Sequence, residues 1–336
     1  MRRKRWILLG AICAACTTTP ALNTTTVEPS SAPTSTTTIS QPAAPDVDPD
    51  SFRAIADGIA RSLLTLQPEL VTELGAREII GVNTNYLLAD LSPNGREALA
   101  AAASDGLSVL DGVSRNDLEA EEQLSADMLR WYLHDVVTMS AYADYENPVN
   151  FITGPHAAFT EFMADVHPVN TEGDVEDYVD RLIAFRGQLN DLIDEVERLD
   201  ELGMTPTDRS LDIARFQIGG AIGGGDADSH PLVTDLVARV EALPDEARSW
   251  AAGVGAQAKV AVRGIIYSLE DLDAAVRRMD GRSDQTPGVG SLPGGDEYYA
   301  AVLRHYLSID LTPEAVHLTG LQHVDRVRAE LTAELV

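Results

Sequence analysis

Apolar residues recur every three or four positions along most of the chain after Phe52, and this spacing predicts α-helices. The clearest case is a helix predicted from Glu172 to about Leu202. Thr171 and Asp174 form a capping box at its start, and Gly203 stops it. Its apolar face consists of Val175, Val179, Leu182, Leu189, Ile193, Val196 and Leu199. No segment shows the alternating pattern of a β-hairpin, so the sequence predicts an all-α fold.

Helix start and stop signals divide the rest of the chain. Ser92-Pro93 and Gln67-Pro68 each place proline at a first helical position, where no backbone donor is needed. Gly75 ends the second of these helices, and Ser114 with Asp117 predicts the start of another. Together these signals predict a multi-helix, layered helical domain over residues 49–336, preceded by a disordered N-terminal segment.

The most specific pattern lies between Leu292 and Leu331. Leu292-Pro293-Gly294-Gly295 predicts a turn, after which Asp296 is placed to cap a helix. One face of that helix carries Tyr299, Val302, Leu303 and Tyr306. A second helix is predicted after Thr312-Pro313, and its apolar positions are Leu318, Leu321, Val324, Val327 and Leu331.

The first fifteen residues predict an export signal rather than part of the fold. A basic segment, residues 1–5, precedes a short apolar run that ends in small residues. Cys16 follows Ala14-Ala15, as in the lipobox of bacterial lipoproteins, which predicts lipidation of Cys16 and anchoring to the extracytoplasmic side of the cell membrane. An ordinary secretory signal cleaved nearby is the alternative. Both interpretations predict export.

Residues 16–48 predict a disordered tether. Threonine triplets and five prolines leave too few large apolar residues to offset the entropy lost on ordering. Such a segment suits a spacer that holds a domain away from a membrane, and a glycosylated stalk is the alternative.

Charge and cysteine content exclude several functions. Removal of residues 1–15 takes away four basic residues and no acidic one, so the formal net charge changes from −28 to −32. A surface this acidic is not suited to nucleic acid, which requires clustered Lys and Arg. Cys13 and Cys16 are the only cysteines, so the mature domain is predicted to contain no disulfide, cysteine-bound zinc or cysteine nucleophile.

The other motifs predict no catalytic residue. No histidine is followed by glutamate, which excludes His-Glu-x-x-His, and no Gly-x-Ser-x-Gly occurs. His317 and His323 lie six residues apart and therefore on different faces of one helix. His156 and His167 lie near turns, where surface or hydrogen-bonded histidines are commoner than metal ligands. The glycine-rich segment 219–230 lacks phosphate-loop and calcium-loop patterns, which favours a hinge between helices.

The Leu-Pro-Gly-Gly-Asp-x-Tyr-Tyr turn at Leu292–Tyr299 and the Leu-Thr-Pro-Glu-x-x-His segment at Leu311–His317 resemble a bacterial family known as domain of unknown function 885. Leu129–Leu133 is similar to an Arg-Trp-Trp-Leu segment of the same family. The resemblance implies a relative of gluzincin-type zinc metallopeptidases, whose His-Glu-x-x-Pro-Gly-His-His helix lies further towards the C-terminus. Zinc is therefore expected only in a complete family member, and no cofactor or metal ligand is predicted in this chain.

The resemblance implies the N-terminal half of a hydrolase, which shapes or covers a cleft for a peptide-like substrate. Tyr298, Tyr299 and His305 are candidates to face that cleft, and aromatic packing within a helix pair is the alternative. On this interpretation the chain is a truncated product or fragment and is inactive alone. The alternative function is a non-catalytic, lipid-anchored binding or structural module of the cell envelope.

Overall fold

A computed structural model of the chain describes residues 51–150, 152–245, 253–283 and 288–335. The predicted export signal, Cys16 and the tether lie outside these residues. The described residues form α-helices, short 3-10 turns and loops and contain no strand, which confirms the all-α prediction. The helices are α1 (Phe52–Thr65), α2 (Pro68–Leu74), α3 (Arg77–Ile80), α4 (Pro93–Asp111), α5 (Ala120–Ser140), α6 (Pro155–Asp165), α7 (Glu172–Glu201), α8 (Asp208–Ile222), α9 (Pro231–Glu241), α10 (Val254–Arg278), α11 (Gly295–Leu307) and α12 (Pro313–Glu334).

The long helix α7 is the centre of the larger hydrophobic core. It packs along α10, and α6, α8 and α9 close the same core around them. Leu182, Leu189, Val196 and Leu199 are buried, as the apolar spacing predicts. The predicted capping box at Thr171 and Asp174 is also present. The sequence therefore predicts the central helix of the domain in both its extent and its packed face.

A second core lies between α1, α4 and α5, and a smaller cluster joins α1 to α2 and α3. Ile59 of α1, Leu110 of α4 and Leu133 of α5 are among its buried residues. Gly106 lies at the crossing, where an added Cβ would sit 3.0 Å from Ile59 and 3.3 Å from Leu133. A larger residue at this position would push the helices apart.

One buried arginine fixes the loop that follows α3 to α7. The guanidinium of Arg181 donates to the carbonyl oxygens of Leu87 at 2.9 Å and Thr84 at 3.0 Å, and to Thr72 Oγ1 at 3.1 Å. It also lies 3.0 Å from Nδ1 of His167. Burial lowers the pKa of Arg181 to about 10, which still leaves the group charged at neutral pH. This set of hydrogen bonds satisfies a charge that would otherwise be costly to bury.

Two predicted helix starts were wrong. Ser114 and Asp117 begin a 3-10 turn instead of α5, whose own cap is Glu119 with Glu122. The cap of α11 is Gly294, so Asp296 lies in the first turn. In both cases a nearby residue provides the terminus: Glu119 completes a capping box, and Gly294 adopts a left-handed conformation, with φ +71°, that disfavours other residues. The caps predicted at Ser92 and Thr312 are confirmed.

Among the described residues, no helix is both long enough and apolar enough to cross a bilayer.

Candidate functional site

The candidate site lies where α11 packs against α5. Asp135 comes from α5, and the chain then forms a 3-10 turn over Ala143–Tyr145. The hydroxyl of Tyr145 in this 3-10 turn donates to the carbonyl oxygen of Pro293 and so fixes the turn that precedes α11. Gly295 is needed here because an added Cβ would lie 1.8 Å from the carbonyl oxygen of Val289.

Asp135 and His305 form the one close carboxylate–imidazole pair of this site. Nδ1 of His305 lies 2.6 Å from Oδ2 of Asp135. Asp135 is buried, whereas the His305 side chain is 41% exposed. A carboxylate acceptor favours the tautomer, or the cation, that carries a proton on Nδ1. The pair therefore holds the ring in one orientation and leaves Nε2 outside this contact.

Three tyrosines form an aromatic wall beside this pair. The rings of Tyr145 and Tyr298 are stacked, with centroids 4.6 Å apart and planes 16° apart. Tyr142 is tilted against both, at 5.8 Å from Tyr298 and 6.0 Å from Tyr145. Desolvation raises the pKa of Tyr298, and the negative charge of Glu146 adds to the effect. The phenol of Tyr298 is therefore a neutral hydrogen-bonding group at physiological pH.

Glu146 places a carboxyl group next to the same wall. The residue as a whole is exposed, but its carboxyl group is sufficiently enclosed that desolvation raises its pKa. Electrostatic interactions with His305 and Arg96 partly oppose that rise in the pKa of Glu146. Glu146 thus holds a proton more readily than a carboxyl group in water, which is the behaviour expected of a group that exchanges protons.

A network of ion pairs supports the site from the α7 side. Glu195 is buried and contacts Arg96 of α4 at 2.6 Å and Arg198 at 2.8 Å. Arg198 also pairs with Asp144 in the turn that carries Tyr145. Burial raises the pKa of Glu195, but its hydrogen bonds with Arg198 and Arg96 and their charges outweigh this, so the net shift is downwards. The network links α4 and α7 to the aromatic wall.

The three residues predicted to face a cleft lie in different surroundings. Tyr298 and His305 are seven positions apart, nearly two helical turns, and so share the face of α11 that meets α5. Tyr299 points elsewhere and is 44% exposed. The structure brings Tyr298 and His305 together with Asp135, Tyr142, Tyr145 and Glu146, none of which the sequence indicated. Those four come from 152 to 170 positions away from their partners on α11, and no spacing rule reveals such pairs.

Because the family resemblance implies zinc, the side chains around the histidines are the first candidates for metal ligands. Within the described ranges, no group of three or more His, Cys, Asp or Glu side chains is arranged to hold a metal ion. His323 lies 3.2 Å from Arg326, an unsuitable neighbour for a cation ligand. Asp135 and His305 give one carboxylate–imidazole pair, short of the three protein ligands typical of catalytic zinc. The described residues do not fit a zinc site by themselves.

Two histidines that the sequence placed near turns are buried instead. His167 is hydrogen-bonded through Nε2 to the carbonyl oxygen of Asp174 at 3.1 Å and through Nδ1 to Arg181. His156, at the start of α6, is only 2% exposed. In the glycine-rich segment, Gly223 ends α8 with φ +62°, and His230 caps α9 by accepting from the backbone of Leu232. This segment therefore forms an ordered connection between α8 and α9.

Comparison with solved structures identifies a similar fold. A crystal structure described as that of the putative lipoprotein from Colwellia psychrerythraea is similar with a TM-score of 0.71 and 19% sequence identity. The similarity covers 82% of this chain and 49% of the Colwellia chain, so this chain spans about half the length of that protein. No curated protein matches the sequence.

A family model built from bacterial sequences matches residues 68–335, which include every residue of the candidate site. The match covers well over half of the chain and includes both motifs that carried the resemblance. The chain belongs to the family of bacterial proteins of unknown function DUF885.

Proposed function

We propose that this chain is the scaffold half of an exported, lipid-anchored hydrolase of the peptidase type, in which a second half supplies the zinc ligands. The observation that carries the proposal is the uncovered apolar face of α12. Leu318, Leu321 and Val324 are 57%, 49% and 46% exposed, and Val327 and Leu331 continue the same stripe. None of the residues of α12 is buried.

An apolar stripe of this length normally packs against another element. Most of the stability of a helix in a protein comes from burying such a face, and large exposed apolar patches mark interaction sites. Here α12 packs against α11, which itself exposes Tyr306 and Leu307, and Ile309 and Leu311 are exposed in the connection between them. The two C-terminal helices together present one apolar surface suited to a further helical layer.

The Colwellia structure supports this choice of partner. About half of that chain lies outside the part similar to this one. A second half of that kind would be a covalent neighbour of the fold rather than an unrelated protein. We infer that its apolar helices cover α12.

The Asp135–His305 pair and the tyrosine wall would then border the active-site cleft. With Nδ1 directed at Asp135, Nε2 of His305 is available to exchange a proton or bind a substrate oxygen. The stacked rings of Tyr145 and Tyr298 offer an apolar surface with polar edges, which suits a peptide-like substrate. Zinc, when bound by the second half, would supply the Lewis acid of a gluzincin.

Export and anchoring are part of the same proposal. Cys16 follows a lipobox-like sequence, and the Colwellia protein is itself described as a putative lipoprotein. We infer that lipid on Cys16 holds the domain on the extracytoplasmic side, with residues 17–48 as spacer.

Reading the genomic sequence after the codon for Val336 tests the proposal. Codons, in frame or after a frameshift, for a His-Glu-x-x-Pro-Gly-His-His helix are expected, and an unrelated downstream sequence would contradict it. The two halves, produced separately, should bind each other. Val324→Asp on α12 should weaken that binding, whereas Val260→Asp, at a 71% exposed position on α10, should not. Equal weakening by both variants would argue against α12 as the interface and favour a non-catalytic envelope module.

A further inference from the structure

A separate pocket opens between α6, α8 and the start of α9, on a different set of helices from the α5–α11 site. Its volume is about 240 Å³. The polar side chains that line it are His156, Thr160, Gln217 and His230, and the apolar side includes Ala221 and Pro231. Among the residues that the structure describes, no Asp, Glu, Lys or Arg lines it. The pocket is smaller than the 300–1,000 Å³ typical of sites for drug-sized ligands, so it suits a small molecule.

His156 is the unusual member of this lining. It is 2% exposed, yet neither ring nitrogen completes a hydrogen bond within the described residues. The side chain of Gln217 is close enough to favour the protonated ring, although it does not reach ordinary hydrogen-bond geometry. Buried polar atoms are normally paired, and leaving one unpaired is costly. An unpaired ring in a pocket wall indicates that a bound molecule completes the site.

The other histidine of the pocket is fully used by the fold. Nε2 of His230 lies 2.9 Å from the carbonyl oxygen of Ala221, and Nδ1 accepts from the backbone N–H of Leu232 at 3.2 Å. These contacts set its tautomer, with the proton on Nε2. His230 therefore shapes the pocket wall, and His156 remains the lining imidazole whose hydrogen bonds are not completed.

We propose that this pocket is a binding site for a small uncharged molecule that carries an amide or hydroxyl group, which hydrogen-bonds to the ring of His156. The described part of the lining contains no charged residue, which disfavours an ion, because a desolvated charge needs a partner. An imidazole that is neutral offers one donor and one acceptor, which matches an amide or an alcohol. Burial lowers the pKa of His156 to about 4, so the ring is neutral over the physiological range.

The glycines of α8 provide a matched pair of variants for the test. Gly220 lines the pocket, and Gly219 precedes it in the same helix without lining it. An added Cβ would meet nothing within 4 Å at either position. Gly220→Leu therefore places a side chain at the pocket mouth, while Gly219→Leu makes the same chemical change beside it. His156→Phe keeps a ring of similar size without its nitrogens.

The experiment uses the full-length chain with Cys16→Ser, produced with ¹⁵N-labelled histidine. Propionamide, and its charged analogue propionate as a control, are titrated while the His156 ring nitrogens are followed by NMR. Propionamide is expected to shift these resonances, and propionate is not. Gly220→Leu should weaken the response at least about tenfold, because the added side chain occupies the mouth of the pocket, and Gly219→Leu should leave it unchanged.

In His156→Phe the binding of propionamide is followed by ligand-observed NMR, and it should be lost while the circular dichroism spectrum is retained. Three results would overturn the proposal: an equal response in Gly220→Leu and Gly219→Leu, binding of propionate as strong as that of propionamide, or unchanged binding in His156→Phe. None of these results depends on whether the chain is half of a hydrolase, so the two proposals fail independently.

Discussion

Nδ1 of His305 and Oδ2 of Asp135 lie 2.6 Å apart although the two residues are separated by 170 positions in the chain. The contact joins α5 to α11 and places the turn with the Leu-Pro-Gly-Gly motif beside the tyrosine wall. The turn formed by this motif therefore has a structural role. The paired glycines let the chain turn sharply enough for α11 to place its histidine over the carboxylate of α5.

The first prediction concerns the tautomer of His305. Asp135→Leu removes the acceptor, so the neutral ring should change from the form with hydrogen on Nδ1 to the form with hydrogen on Nε2, which an isolated imidazole side chain prefers. The ¹⁵N shifts of the two ring nitrogens report the change directly. Glu97→Leu, on α4, serves as the control. Unchanged ¹⁵N shifts in Asp135→Leu would show that the carboxylate does not determine the tautomer of the His305 ring.

The second prediction concerns the buried guanidinium of Arg181. Arg181→Met leaves the carbonyl oxygens of Thr84 and Leu87 and the ring of His167 without their donor. Breaking a buried charged network in this way should lower the free energy of unfolding by about 3–5 kcal/mol. Arg181→Lys should recover little, because an ammonium cannot reproduce the planar fork. Urea denaturation measures all three proteins.

Arg186→Met is the matched control, since Arg186 lies on the exposed side of the same helix. It should change the free energy of unfolding by no more than about 0.5 kcal/mol. Similar losses in Arg181→Met and Arg186→Met would contradict the role given to Arg181.

The third prediction concerns stability in acid. Burial lowers the pKa of both His156 and His167 to about 4, below the ordinary value of 6.5. Between pH 6.5 and about 4, these two histidines are therefore protonated in the unfolded chain but largely neutral in the folded chain. Their effect on stability is absent above pH 6.5 and grows as the pH falls from 6.5 to about 4. Each histidine should remove up to about 3 kcal/mol over that window.

His156→Phe should abolish one of these two contributions. Together the two histidines contribute to the slope of the unfolding free energy against pH between pH 6.5 and 4. The variant should remove about half of that contribution. Urea denaturation at several pH values provides the slope. An unchanged slope would show that His156 titrates normally in the folded protein. His317→Phe, on the exposed face of α12, should leave the slope as it is.

The fourth prediction compares one substitution on two helices. Leu321 on α12 is 49% exposed, whereas Leu236 on α9 is fully buried. Leu236→Ala should cost about 2–5 kcal/mol through lost burial and a cavity, and Leu321→Ala should cost less than about 0.5 kcal/mol. Thermal or urea unfolding of the two variants gives the comparison. A large loss for Leu321→Ala would mean that the face is already covered, by a second copy or otherwise.

The sequence predicts much of this fold because the signals for helices are local. The extent of α7, its apolar face and the capping box at Thr171 all follow from neighbours within a few positions. Neighbouring residues also explain the two wrong caps, since Glu119 and Gly294 provide better termini than the residues chosen. The candidate site was harder to predict. Tyr298 lies in the family motif and His305 is nearly two helical turns beyond it, but Asp135, Tyr145 and Glu146 become their neighbours only through tertiary packing.

The burial of His156 and His167 could not be predicted for the same reason, because residues distant in the sequence cover them. A histidine next to a turn is usually exposed, and nothing in the sequence near His156 or His167 indicates that α8 or the guanidinium of Arg181 covers it. The apolar positions of α12 show the converse. Their spacing correctly predicts a helix with an apolar face, but only the structure shows that this face is exposed.

We propose that this chain contributes the fold and one wall of a hydrolase site and that the metal-dependent chemistry comes from a second half. Equilibrium dialysis of the Cys16→Ser chain against zinc, followed by a peptidase assay on the same sample, tests it most directly. We expect less than stoichiometric zinc and no zinc-dependent turnover. One tightly bound zinc ion per chain, together with peptide hydrolysis that a chelator abolishes, would contradict it.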